Sequence, residues 1–195
     1  ERARTVRAIV SEVYSPPRVI AAAKLLPELR LIPGFALDLT TADSDGASWD
    51  FDSKVMRDRA MQKLRDERPM LLVGSPMCTA FSTWQHINNK VRDKYVVEQE
   101  KKRAIMHLEF CIELYREQLK NGRYFIHEHP AYATSWQEEA MQKLMKTPNA
   151  ADDAASTVDE EADEVIKARI LGKQQFFSRM KNTNCLPPVR IIFHT

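Results

Sequence analysis

Short apolar runs that stop at proline- or glycine-led loops, each followed by a longer stretch with helical spacing, constrain this chain more than any other feature. Met70 to Val73 is one such run, closed by Gly74, Ser75 and Pro76, and it reads as a buried strand that ends in a loop. Upstream, Arg7 to Tyr14 carries the alternation of a first strand, and Ser15, Pro16 and Pro17 stop it. Val19 to Leu26 then supplies a short helix with Ser15 as a candidate cap, and Phe35 to Thr40 supplies a second strand after Gly34. Trp49 to Phe51 reads as a very short strand within a loop, and Lys54 to Glu67 as a helix in which Val55, Met56, Ala60, Met61 and Leu64 recur at helical spacing.

Downstream, the spacing predicts a long amphipathic helix from Tyr95 to Leu119, stopped by Asn121 and Gly122. A strand from Arg123 to Pro130 follows, then a helix from Ser135 to Lys146 opened by a Ser135 and Glu138 capping box. Strands and helices therefore alternate, which predicts an α/β fold with a mostly parallel sheet and helices on both faces. The sheet domain is expected over 7–148, an acidic linker over 149–164, and a C-terminal tail with one helix and the edge strand VRIIF over 165–195.

In a sheet of this kind ligands bind beyond the carboxyl ends of the strands, where the loop carrying Cys78 is expected to lie. A lone cysteine is most often a small buried hydrophobe, so its neighbours carry the argument. Gly74, Pro76, Cys78, Phe81 and Ser82 resemble the Gly-x-Pro-Pro-Cys-x-x-Phe-Ser signature of the DNA cytosine-5 methyltransferases, with Met77 in place of the second proline. The resemblance spans Val10 to Trp136 and implies a Rossmann-like methyltransferase fold, with Cys78 as nucleophile and Glu128 as its carboxyl partner. It also implies S-adenosylmethionine as cofactor, contacted by Tyr14 and Ser15 in the first turn, by Asp38, by Asp50 or Asp52, and by Ser75 and Pro76. The implied partner is DNA or another nucleic acid. Where the family has glycines in the first turn, this chain has Ser15-Pro16-Pro17-Arg18, and only a faint echo of the later arginine motif stands at Gln174 to Arg179.

A thiolate that adds to carbon 6 of cytosine makes carbon 5 nucleophilic, while a carboxyl group on ring nitrogen 3 stabilises the developing charge. The base must leave the duplex to be reached, and the thiol must be activated by positive charge or aligned amides. Two other readings use the same residues. His127 and His129 lie two apart on one strand and could share a metal, or His127 could pair with Cys78 in a thiol hydrolase. Lys101, Lys102 and Arg103 read as a solvated helix face rather than a phosphate track. The class opposed to an enzyme is a nucleic-acid-binding or retroelement polyprotein-derived module that keeps the sheet without catalysis.

Composition narrows the setting. The chain has 195 residues, 44% hydrophobic and 29% charged, which suits one α/β domain with a real core. No apolar run approaches a membrane span, and no signal-peptide pattern stands at the start, so no membrane partner is expected. Three widely spaced cysteines argue against a disulfide framework or a zinc site and for an intracellular setting, nuclear or cytoplasmic. A net charge of +2 neither announces nor opposes nucleic-acid binding. The chain opens on Glu1, so a fragment or processed product is expected, and the oligomeric state is left open.

Overall fold

The structure, a computed structural model, describes residues 8–25, 31–82, 85, 91–147 and 189–194, the last for their backbone. In chain order these form β1 (Ala8–Val13), α1 (Val19–Leu25), β2 (Leu31–Leu37), α2 (Lys54–Glu67) and β3 (Leu71–Gly74). A 3-10 turn at Thr79–Phe81, the long helix α3 (Lys94–Lys120), β4 (Tyr124–Pro130), a second 3-10 turn at Thr134–Gln137, α4 (Glu139–Met145) and β5 (Val189–His194) follow. The strands make one sheet in the order β2-β1-β3-β4-β5. Its first four strands are parallel and β5 pairs antiparallel with β4. The α/β class and the Rossmann-like, mostly parallel arrangement are as the alternation predicts. Because the chain runs from β1 out to β2 and returns to β3 on the other side of β1, the strand order reverses there. A crevice opens at such a switch point.

Alternating side chains divide the core between the two faces of the sheet. Val10, Leu71, Val73 and Ile126 meet Val19 and Ala23 of α1 on one face. Val13, Phe35, Leu37, Leu72 and Phe125 meet α2, α3 and α4 on the other, through Ala60, Leu64, Leu108, Ile112, Leu144 and their neighbours. On α2, Val55 lies outside this core, 59% exposed. The start of α3 is set by Asp93, whose carboxylate accepts from Tyr95 N at 2.7 Å and Val96 N at 3.2 Å. The start of α1 is held from the sheet, because the buried carboxylate of Glu12 on β1 accepts from Val19 N at 3.1 Å and Ile20 N at 3.0 Å.

Three local expectations are corrected. β2 begins at Leu31 rather than Phe35, since an edge strand tolerates Pro33 and Gly34. The ladder is irregular there, and Phe35 N donates to Ser11 Oγ at 3.2 Å. Trp49 to Phe51 is not a strand, and the neighbouring pairing is a single Ala42–Ser48 bridge. Ser135 does not cap a helix. It lies in a 3-10 turn, its hydroxyl is engaged by His129, and α4 starts at Glu139. The acidic stretch 149–164 and the residues of the arginine-like motif lie outside the described residues.

At Gly74 α3 packs tightly against the sheet. A Cβ built there would lie 2.0 Å from the Tyr115 hydroxyl and 2.8 Å from Cys111 Sγ. Gly74→Ala should therefore cost at least about 1–3 kcal/mol, the usual range for overpacking a tight core. A lower urea midpoint with an unchanged slope is the expected readout. Part of the loss should return in Tyr115→Phe, and a midpoint that did not move would mean that the helix can lift without cost.

Candidate functional site

The loops after β1, β2, β3 and β4 gather at the carboxyl end of the sheet. Two backbone bonds continue the pairing past the strand ends, from Tyr14 N to Leu37 O at 2.9 Å and from Ser75 N to Val13 O at 3.1 Å. Cys78 stands half-buried at the start of the 3-10 turn that follows β3, and Glu128 stands half-buried near the end of β4. Ser75 Oγ donates to Glu128 Oε2 at 3.1 Å, which ties the carboxylate to the cysteine loop across 53 residues of chain. Cys78 and Glu128 therefore stand at the same carboxyl edge of the sheet, joined through Ser75.

The loop is fixed from beneath by His129. Pro76 is buried, and its carbonyl accepts from His129 Nε2 at 2.9 Å. His129 Nδ1 in turn accepts from the Ser135 hydroxyl at 2.6 Å. A carbonyl can only accept, so this pair of bonds puts the imidazole proton on Nε2. His129 is thus a rigid post under the loop in which Met77 replaces a proline. Sequence reasoning treated this histidine only as half of a metal pair.

His127 turns into the core instead. Cys111 Sγ donates to the Tyr115 hydroxyl at 3.0 Å, and Tyr115 donates to His127 Nδ1 at 2.9 Å. Its Nε2 has no hydrogen-bond partner among the described residues. With His129 spent on Pro76 and Ser135 and His127 bound to Tyr115, the two imidazoles do not converge on a metal. No group of three or more such donors is found among the described residues. Nor does His127 bond to Cys78, as a thiol hydrolase would require.

Beside the cysteine loop lies a cleft of about 180 Å³ lined by Tyr14, Asp38, Trp49, Asp50, Phe51, Ser75, Arg103 and His107, with Leu39 and Met77 at its exposed rim. Of the residues singled out for a cofactor, Tyr14, Asp38 and Ser75 line it. Asp50 lines it too, whereas Asp52 is bound bidentately by Arg103, with Nε at 2.7 Å from Oδ1, and accepts from His107 Nε2 at 3.0 Å. Ser15 is buried and donates to Pro16 O at 2.9 Å, and Pro76 lies under the loop. Lys101, Lys102 and Arg103 are exposed, as a solvated face requires; Lys101 and Lys102 reach Glu138 and Glu98, and Arg103 also lines the cleft. His107 was missed from sequence. The signal was present: Arg103, His107, Cys111 and Tyr115 recur every four residues, a polar stripe along one face of α3.

The electrostatics of the crevice are acidic. Burial pushes the Cys78 thiol up, a backbone hydrogen bond opposes this, and the negative charge of Glu128 adds to the rise. The thiol is therefore protonated at neutral pH. Burial also holds His107, His127 and His129 below the usual histidine range, so all three are neutral there. Burial raises Glu12, against the hydrogen bonds from Ile20 and Val19 that stabilise its charge.

Two measurements follow from these shifts. Alkylation of Cys78 by iodoacetamide, on a Cys185→Ser background, should be slow at neutral pH with a midpoint above the ordinary thiol value. Glu128→Gln should move that midpoint down, and a midpoint below that of free cysteine would contradict the assigned charges. Stability should fall as the pH drops below 6.5, because the unfolded chain takes up protons that the three buried imidazoles refuse. The slope is at most about 1.4 kcal/mol per histidine per pH unit. Glu12 acts oppositely, since its raised value favours the folded state as it protonates, but Asp43, Asp52, Glu98, Glu100, Glu117 and Glu139 are held low in the folded state, so the loss should deepen in stronger acid. Urea midpoints across the acid range test both signs. Compared with protein-family models, curated proteins and solved structures, the chain matches none.

Proposed function

We propose that this domain is a methyltransferase-like α/β unit that acts on cytosine in nucleic acid through Cys78, with Glu128 as its carboxyl partner. The observation that carries the reading is the Ser75 to Glu128 hydrogen bond, which joins the carboxylate to the loop of the thiol at the switch point of the sheet. The chemistry of the adjoining cleft fits S-adenosylmethionine. Asp38 and Asp50 supply negative charge for a cationic ligand, and Tyr14, Trp49 and Phe51 supply flat apolar surface for a purine. At about 180 Å³ the cleft holds part of a ligand of that size, since whole-ligand pockets run to roughly 300–1,000 Å³.

When bound, this cofactor supplies a methyl group on a positively charged sulfur. The chain's own residues do the rest. Cys78 must first lose its proton, and a positive ligand beside Asp38 and Asp50 would offset the carboxylate field that opposes this. With its proton given to solvent, the Cys78 thiolate then forms a bond to carbon 6 of the base while Glu128, carrying a proton taken up from solvent for this step, donates to ring nitrogen 3, so that electron density accumulates at carbon 5. After alkylation, loss of the carbon 5 proton to solvent water returns the electron pair to the ring, and the carbon 6 to sulfur bond breaks to release Cys78 as thiolate. Ser75 orients Glu128, and His129 holds the loop through Pro76.

A second reading has its own observation. The raised Cys78 thiol is what a module without catalysis would retain, whether it binds nucleic acid or derives from a retroelement polyprotein. Calorimetric titration with S-adenosylmethionine separates the two: heat at micromolar affinity supports the enzyme, and silence at millimolar ligand supports the module. An oligonucleotide carrying 5-fluorocytosine should be trapped covalently in the presence of the cofactor, because fluorine cannot leave as a proton does. Trapping should vanish in Cys78→Ala and slow by about a hundredfold or more in Glu128→Gln, the usual size of a lost acid-base contribution. An adduct that survived in Cys78→Ala would remove this nucleophile from consideration.

A further inference from the structure

Four groups from three separate segments meet at the wall of the cleft, and their hydrogen bonds can run in only one direction. The Arg103 guanidinium binds both oxygens of Asp52. Asp52 can only accept, so the contact at 3.0 Å requires a proton on His107 Nε2. A neutral imidazole protonated there presents a lone pair on Nδ1, and the Tyr14 hydroxyl lies 2.9 Å from it. The tyrosine therefore donates, and both ring nitrogens of His107 are satisfied.

Tyr14 needs such support. Its φ is 59°, in the left-handed region that a side chain makes costly, and it stands at the turn between β1 and α1 that faces the cleft. Its ring is also packed against Phe51 at 4.7 Å and edge-on to His107 at 5.5 Å. We propose that His107 is a positioning residue for the cleft: by accepting from Tyr14 on Nδ1 and donating to Asp52 through Nε2, it locks the first turn and aims the tyrosine ring as the cleft wall. In this role Asp52 orients His107, and Asp50 is left to face the ligand. The inference rests on the cleft being the S-adenosylmethionine site.

The relay has a built-in acid limit. Protonation of His107 puts a donor on Nδ1, so the Tyr14 hydroxyl must turn to accept from it, and the new positive charge at the cleft wall opposes a cationic ligand. The charged and titratable groups around the imidazole are Asp52 and Asp50 from the loop before α2, Arg57 from α2, Arg103 from α3 and Tyr14 from the first turn, with Cys111 beside Tyr14. Burial is the largest influence on His107 and keeps it neutral at physiological pH, with Asp52 pulling the other way.

The test uses the full chain. Nitrogen-15 NMR of the His107 ring should show the proton on Nε2 and a bare, hydrogen-bonded Nδ1, and a proton on Nδ1 at neutral pH would overturn the relay. In calorimetry with S-adenosylmethionine near neutral pH, Tyr14→Phe and His107→Leu should each weaken binding by about five- to tenfold, the size of one lost hydrogen bond. His107→Gln, whose amide can both accept and donate, should stay within about threefold of the parent chain. Parent affinity should fall in acid while that of His107→Gln does not, and equal binding by His107→Leu and the parent would overturn the proposal. If the parent binds no cofactor, the reading of the cleft fails, and the relay is judged on stability and NMR alone. Thermal shifts of Tyr14→Phe and His107→Leu should then be less than additive in the double variant. Full additivity would overturn the relay.

Discussion

The close approach of Tyr115 to Gly74 is the contact on which the rest of the molecule depends. It seats a 27-residue helix directly on the central strand, and hydrogen bonds hold that helix at three levels. Near its carboxyl end, Gln118 Nε2 donates to Pro69 O at 2.9 Å and to Tyr124 O at 3.1 Å, joining the entries of β3 and β4. In the middle, Cys111 and Tyr115 reach His127. Toward its amino end, His107 and Arg103 reach Tyr14 and Asp52. Because one rigid helix carries all three levels, a shift at Gly74 would be transmitted to the cleft about two turns away.

Much of this organisation was legible in the sequence, and the exceptions have physical causes. Lys54 to Glu67 was read at its observed bounds because Ala60 and Leu64 repeat at helical spacing and polar residues flank them. β2 was placed too late because Pro33 and Gly34 are stop signals in general, yet they are tolerated on an edge strand, where one side of the backbone has no ladder to complete. Ser135 matched a capping box in one dimension, but the competing partner, His129, lies on a neighbouring strand and wins the hydroxyl. His107 looked like one polar residue on a charged helix. Only the fold shows that the Asp52 loop and the Tyr14 turn converge on it.

The candidate site was legible in outline and not in its charge. Cys78 just after β3 and Glu128 near the end of β4 come to the same edge of the sheet, since parallel neighbours end there together. What the spacing could not convey is that the charge felt by the thiol is the Glu128 carboxylate, while the guanidinium lining the adjoining cleft is already committed. Arg103 is held by Asp52. The crevice is thus negative by arrangement, although the whole chain carries a slight positive excess.

Glu12 gives the first helix a meaning beyond its own stability. In many sheets of this class the amides opening the helix after β1 are the place where a dinucleotide rests its pyrophosphate. Here Val19 N and Ile20 N are already satisfied by a carboxylate that belongs to the protein and is fully buried. A phosphate at that position would have to displace an internal anion and leave it desolvated beside a second negative charge. The amides that open α1 are therefore already engaged by a side chain of β1, and a phosphate bound there in the usual manner would have to compete with it.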